Sequence, residues 1–521
     1  MTQAIPDVAV IGSGPAGAAA ARALTTRGRT VVMIDVGHDL PQVAGHSQPV
    51  TPPVIEASGF GRKLAFGSDY PYRPVPGREL LGNDTDTRPS YALGGYSSVW
   101  GATMLPLDVE DLSDWPIGAP DLAASYREVA TYVPIAASPD GLSARYPLYG
   151  AGFSALRPSH AGQLVLDRLE ARRLVLTKQG VEFGRSRLAV VAGRPAPCAG
   201  CSYCGQCLTG CPYSHIYNSA ETVRELMTTP SFIYRSGLYV LEVGETEHFA
   251  MVRCCDVATG NEVIVEAKRV FVAAGSIETP AILQRSRMLG PRVRIRDSQV
   301  LVLPVALLGS LAPATESTYA LSQVFFRLQD TDIGARPVQV QLYGHDSSMV
   351  ARARALHPRL SQLLGPLLGH AMRPLLVAFV YLHSDFSDQI ECHTTSAGTQ
   401  LLRVPNPDKS DAVRSIVTKL QRVLVPCGLI PLRPLMYEGV TGQSYHTGGS
   451  LPMRRAPLAG ETDVLGRPAG SSRVHVVDAS VFPSIAAGPI TFTIMANATR
   501  IARSLASTSL SVSAASSTAD A

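Results

Sequence analysis

The sequence predicts an α/β protein whose parallel sheet is assembled from distant parts of the chain and interleaved with a second domain. Three observations carry this expectation. Residues 7–35 read as strand, glycine-rich turn, alanine-rich helix and strand, a βαβ unit of the doubly wound, Rossmann-like kind. Further strand-then-turn signals return at 269–275 and 474–484. Between these the character changes, from about residue 293 to 445, to runs such as 338–343, where apolar and polar residues alternate, and 375–383.

Composition sets the outer limits. With 521 residues, 45% hydrophobic and 17% charged, the chain can build two or more cores and is too apolar to be disordered. A net charge of +4 from 46 basic and 42 acidic residues leaves no basic footprint for nucleic acid. The first dozen residues run into a strand without a basic, then apolar, leader, so a reducing, cytoplasmic setting is expected.

Taken in order, residues 7–11 and 30–35 are short apolar strands, and 39–91, rich in Pro, Gly and Asp, form extended connections. Helices are expected over 120–129, 161–171, 219–228 and 491–505, and another buried strand over 269–274. The Arg- and Leu-rich stretch 348–370, broken by Pro358 and Pro366, suits an amphipathic surface segment or peripheral contact with the inner membrane face. Pro366, His370, Arg373 and Pro374 interrupt 363–382 too often for a spanning helix. The Ser/Ala-rich tail 506–521 is expected to be disordered.

Gly12-Ser13-Gly14-Pro15-Ala16-Gly17 lies between the first strand and its helix. Gly12 permits a tight turn, Gly14 lets a pyrophosphate approach, and Gly17 lets the helix pack on the strand. The helix N-terminus offers free N–H groups and positive dipole to phosphate. Asp35, 23 residues after Gly12, ends the second strand where an acid can bind ribose hydroxyls. NAD and FAD both fit this element. A second glycine-rich segment carries Gly94, Gly95, Ser97 and Ser98, followed by Val99 and Trp100, and later turns carry Gly275, Asp478 and Ala479. Strand-to-turn signals so dispersed suit one extended cofactor threading a discontinuous domain.

The cysteines are clustered: five of nine lie in 198–211. Cys201-x2-Cys204-x2-Cys207-x3-Cys211-Pro212 matches a bacterial ferredoxin run, with Cys198 one step upstream. An iron–sulfur cluster held by three or four of these thiols, a four-thiolate zinc site, and unligated thiols or a disulfide all stay open.

Taken together, these motifs and their order resemble the glucose–methanol–choline (GMC) family of FAD-dependent oxidoreductases, in particular members with a cysteine-rich segment, over nearly the whole chain to about residue 505. The resemblance implies a discontinuous FAD-binding domain (1–110, 195–285 and 455–505, with the cysteine segment 198–212) and an antiparallel-sheet substrate domain (111–194 and 286–454). It implies FAD, with Asp478 and Ala479 approaching its ribityl and pyrophosphate. Val99 stands where some members carry a histidine for covalent attachment, so noncovalent FAD is expected. The loop at Trp100 is similar to that of sugar-oxidising members and points toward carbohydrate. The motif Tyr445-His446-Thr447-Gly448-Gly449-Ser450 is similar to the family's catalytic-histidine motif.

On this reading His446 takes the hydroxyl proton as hydride leaves the same carbon for flavin N5. The family's second His or Asn falls on Pro489, or on Gly488 with a slip of one, and neither has a side-chain donor. Thr491 and His215 are candidate substitutes. The expected activity is dehydrogenation of a CH–OH group of an alcohol, sugar or glycosylated metabolite. Electrons would pass through the cysteine cluster to an external protein or quinone. The alternatives are an FAD-dependent elimination or isomerisation and a flavin/iron–sulfur electron-transfer protein.

Overall fold

In the computed structural model the described residues are 5–40, 65–193, 200–309, 316–344 and 374–515. The amphipathic stretch 348–370 and the last residues, 516–521, lie outside them, as does Cys198.

The first strand, β1 (Val8–Ile11), is buried on both faces, as a run without polar residues requires. It pairs in parallel with β2 (Val31–Ile34) on one side and Arg269–Val272 on the other. Val474–Val476 and Phe232–Arg235 complete a five-stranded sheet at its two edges. The expected discontinuity is therefore real: neighbours in this sheet come from both ends and the middle of the chain. Between β1 and β2 runs α1 (Pro15–Thr25), whose buried alanines join the core of the sheet. A three-stranded antiparallel meander, Leu238–Glu245, Ala250–Asp256 and Glu262–Ala267, extends the same core.

The second body is an antiparallel sheet built on Val300–Leu307, Leu375–Tyr381, Val338–Tyr343 and Ser322–Leu328 in that order. Its strands divide by alternation. Leu301, Leu303, Val340, Leu342, Ala378 and Val380 share a core with Val413, Ile416 and Leu420 of the helix Lys409–Leu424. The alternate residues turn toward the parallel sheet and line the space between the bodies. A smaller sheet, containing Arg292–Asp297, Gln389–Thr395 and Thr447–Gly448, carries the histidine loop.

Two expectations need correction. Helix α2 (Ala119–Val129) falls in the stretch 111–194 assigned to the substrate domain, yet Leu122, Tyr126 and Val129 belong to the core beneath the parallel sheet. Tyr126 packs on Phe492, centroids 4.6 Å apart, and shares a 2.6 Å hydrogen bond with Thr493. Those contacts to the final helix, rather than chain position, decide where α2 sits. That final helix, Thr491–Ala515, also runs ten residues past the expected end at 505, through part of the tail read as disordered. Ala, Ser and Leu continue there without Gly or Pro to stop it.

Candidate active site

A cavity of about 970 Å³ extends from the C-terminal edge of the parallel sheet to the inner face of the antiparallel one. It lies at the upper end of the size range of small-molecule sites. Its dinucleotide half is built as the glycine motif requires. A Cβ on Gly17 would lie 1.9 Å from the Gly12 carbonyl oxygen, so only glycine allows α1 this close. Gly14 caps α1 without a side-chain hydrogen bond, and a Cβ there would meet nothing within 4 Å. Free N–H groups thus face open space, a cradle that fits a pyrophosphate.

Asp35, half-buried just past the end of β2, accepts hydrogen bonds from Ser13 Oγ and, at 3.4 Å, from the Tyr234 hydroxyl. Burial pushes its carboxyl up to about 7. Of the expected cofactor residues, Gly12, Gly14, Asp35, Gly95, Ser97, Gly275, Asp478 and Ala479 line the cavity. Gly17, Gly94 and Ser98 are not in its wall. Gly94 instead makes a left-handed turn (φ 85°) where a Cβ would strike Asn218, and Ser98 bonds back to the Gly95 carbonyl. Asp478 is in the wall, but its carboxylate accepts from Gly275 N–H at 2.8 Å, from Thr279 Oγ1 and from Ser480 N–H. It anchors the N-terminus of the helix Gly275–Arg285, as a helix dipole favours.

At the other end His446 lines the cavity. Its loop is held by backbone and side chain: His446 N–H donates to Ser444 Oγ at 3.0 Å, and Ser298 N–H donates to the His446 carbonyl. Ser444 Oγ in turn donates to buried Asp297, which also accepts the Gly442 N–H at 2.7 Å. The ring stacks on Tyr381, and its buried Nδ1 has no hydrogen-bond partner among the described residues. Burial depresses the imidazole to about 4, so it is neutral at physiological pH. Pro489 and Thr491 share this wall, as expected. His215 does not: it sits beside the cysteines and is removed as a substitute for the missing second residue.

Sequence reading overlooked Gln341, Tyr343 and Tyr381, which reach the cavity from the antiparallel sheet. The alternation of Val338-Gln339-Val340-Gln341 was the available signal.

Cys201, Cys204, Cys207 and Cys211 border a separate cavity of about 20 Å³ with His215 and Tyr319. All four are free thiols. Ala320 N–H donates to Cys207 Sγ, and His215 N–H to Cys211 Sγ, each at 3.4 Å. Burial pushes the Cys207 thiol up to about 12. The space admits about one water-sized group, and among the described residues no three His, Cys, Asp or Glu side chains form a metal-holding group. The spacing brought the four thiols to one place but did not set their separations.

A dinucleotide cradle opening onto a sheet-walled chamber lined by a neutral histidine is the arrangement of a dinucleotide-dependent oxidoreductase. Comparison with known proteins gives its family. The chain belongs to the GMC oxidoreductases: the N-terminal family model matches residues 90–296 and the C-terminal one residues 431–498. It is thus an enzyme acting on CH–OH groups, of a family that binds FAD. The 6'''-hydroxyparomomycin C oxidase of Streptomyces lividus is 25% identical over 542 aligned residues, covering 96% of this chain and 91% of that protein. The paromamine 6'-oxidase of Streptomyces fradiae is 25% identical over 297 residues, covering 54% of this chain and 49% of that protein. The structure of pyridoxine 4-oxidase from Mesorbium loti matches with a TM-score of 0.62, covering 96% of this chain and 99% of that one, at 14% identity, a likeness of fold. Among the described residues no helix is long and apolar enough to cross a membrane.

Proposed function

We propose that this enzyme oxidises the CH–OH group of a small-molecule alcohol, sugar or glycosylated metabolite, with His446 as the base that takes the hydroxyl proton. The observation that carries the reading is His446 itself, neutral and in the wall of the chamber that continues into the dinucleotide cradle. FAD, when bound, supplies hydride acceptance at its N5. The chain's part is to hold the substrate carbon toward that end, exclude water and receive the proton at the imidazole. Anaerobic mixing with alcohols tests this: bleaching of the bound flavin supports it, and flavin that no alcohol bleaches counts against it.

Pro489 supports a second reading, because it lines the chamber where the family's second donor is expected and has no side-chain donor. An elimination or isomerisation would turn over substrate without net flavin reduction, which product analysis beside the flavin spectrum separates. The proposal also extends to the cysteines. Their four thiols around one small cavity, on a loop whose Leu208 and Thr209 line the main chamber, support an iron–sulfur cluster serving a protein or quinone acceptor. The thiols would have to move outward to admit it. Iron and acid-labile sulfide in anaerobically purified protein decide the point; zinc without iron ends it.

A further inference from the structure

The sheet face above His446 is divided by chemistry. Val302, Pro304, Val377 and Phe379 make most of it apolar, and Tyr343 packs on Phe379 with ring centroids 4.9 Å apart. Gln341 brings a carboxamide into this face. Its Oε1 accepts from Thr103 Oγ1 at 3.2 Å and from the Tyr343 hydroxyl at 3.3 Å. Two donors on one oxygen fix the amide plane and leave Nε2, which has no partner among the described residues, as the group able to meet a ligand. Gln341 lines the chamber, so its Nε2 opens onto space where a ligand oxygen can accept from it. A substrate oxygen in the chamber is the acceptor that this geometry admits. Gln341 thereby offers from the sheet the hydrogen bond that Pro489 cannot offer from the opposite segment.

The carboxylates of the chamber point to the rest of the ligand. Asp35, Glu278 and Asp478 are bonded within the dinucleotide half, Glu278 to the Tyr91 and Tyr239 hydroxyls. Asp86 is engaged within the chain. An ammonium group pressed on this sheet face would lose its hydration without a free counter-charge among the described residues, whereas an apolar ring gains by leaving water. Aromatic rings would stack on Phe379 and Tyr343.

We propose that the substrate is an uncharged alcohol carried on an apolar, ring-bearing body, its oxygen held between His446 and Gln341 Nε2. This rests on the proposed oxidation and narrows its substrate; it separates the enzyme from its aminoglycoside-oxidising relatives. The test uses the FAD-loaded enzyme under anaerobic conditions with 4-methoxybenzyl alcohol, glucose and paromamine, whose amines are protonated. The aryl alcohol is expected to perturb and bleach the flavin with an efficiency at least about tenfold above the other two. Preference for glucose or paromamine, or no binding of the aryl alcohol up to its solubility limit, overturns the proposal. Perturbation without bleaching upholds the binding class and instead counts against oxidation. For Gln341, the comparison is with 4-methoxytoluene, which lacks the hydroxyl. Wild type should bind the alcohol about tenfold more tightly, and Gln341→Leu should narrow that difference to about threefold, the share left to His446, while still binding the hydrocarbon. A difference that is unchanged in the variant removes Gln341 from the site.

Discussion

The imidazole of His446 lies against the ring of Tyr381, centroids 5.0 Å apart and planes 25° from parallel. The histidine thus comes from the loop of the small sheet and its packing partner from the large one. Together they bury the imidazole, and that burial keeps it neutral.

The first prediction concerns that neutrality. The depressed value, about 4 against the ordinary 6.5, means that the folded protein binds fewer protons here than the unfolded chain between these values. Stability from this group is therefore lost as pH falls from about 6.5 through 4, and the base form survives down to the lower limit. The rate of flavin reduction should not fall on account of this group until pH drops to about 4. His446→Ala should lower that rate about 10²–10⁴-fold; unchanged stopped-flow kinetics would exclude His446 as the base.

Asp297 gives the opposite sign. It is fully buried, and desolvation pushes its carboxyl up to about 7 despite the bonds from Gly442 and Ser444. As pH rises from about 4 through 7, the unfolded chain releases this proton first, so stability falls across the window. Asp297→Asn should flatten that part of a plot of melting temperature against pH by about one proton's worth. It should also slow flavin reduction, because the loop carrying His446 loses an acceptor. An unaltered slope would show that Asp297 does not titrate as described.

Two glycines of one motif should part company. Gly17→Ala forces the α1 backbone away from Gly12 and should cost roughly 1–3 kcal/mol even without cofactor. Gly14→Ala meets open space and should change the stability of the FAD-free protein by no more than about 0.5 kcal/mol while weakening FAD binding. Melting of the apoprotein and flavin titration separate the two; equal destabilisation of both apoproteins would be the contrary result.

Arg327 and Asp108, both nearly inaccessible, pair at 2.8 Å, tying a strand of the large sheet to the segment after the second glycine-rich turn. Glu110 and Glu182 approach the same guanidinium at 3.4 and 3.8 Å. Arg327→Met would leave Asp108 as an uncompensated buried charge and should destabilise by about 3–5 kcal/mol. Denaturant midpoints measure it, and a loss below about 1 kcal/mol would mean that Asp108 takes up a proton instead.

The dinucleotide half was largely legible from sequence, and the reason is local. Gly12, Gly14 and Gly17 are demanded by backbone contacts within one strand–turn–helix unit, and Asp35 follows from the length of that unit. His446 was legible only through its resemblance to a family motif, since nothing local reveals a base. The cysteine spacing marked a place where thiols gather, but their separations follow from loop geometry that spacing does not encode.

By itself the sequence determined the αβ class, the interleaving of the two bodies and the cofactor turn, because each follows from periodicity or from steric rules within about 30 residues. Only the tertiary structure decided that α2 joins the first core, that His215 belongs with the cysteines, and that Tyr381 packs on His446 while Gln341 lines the same cavity. Those choices depend on strand order and register between segments far apart in the chain. Alternation shows that a strand has two faces, but only its packing partners settle which face meets the substrate.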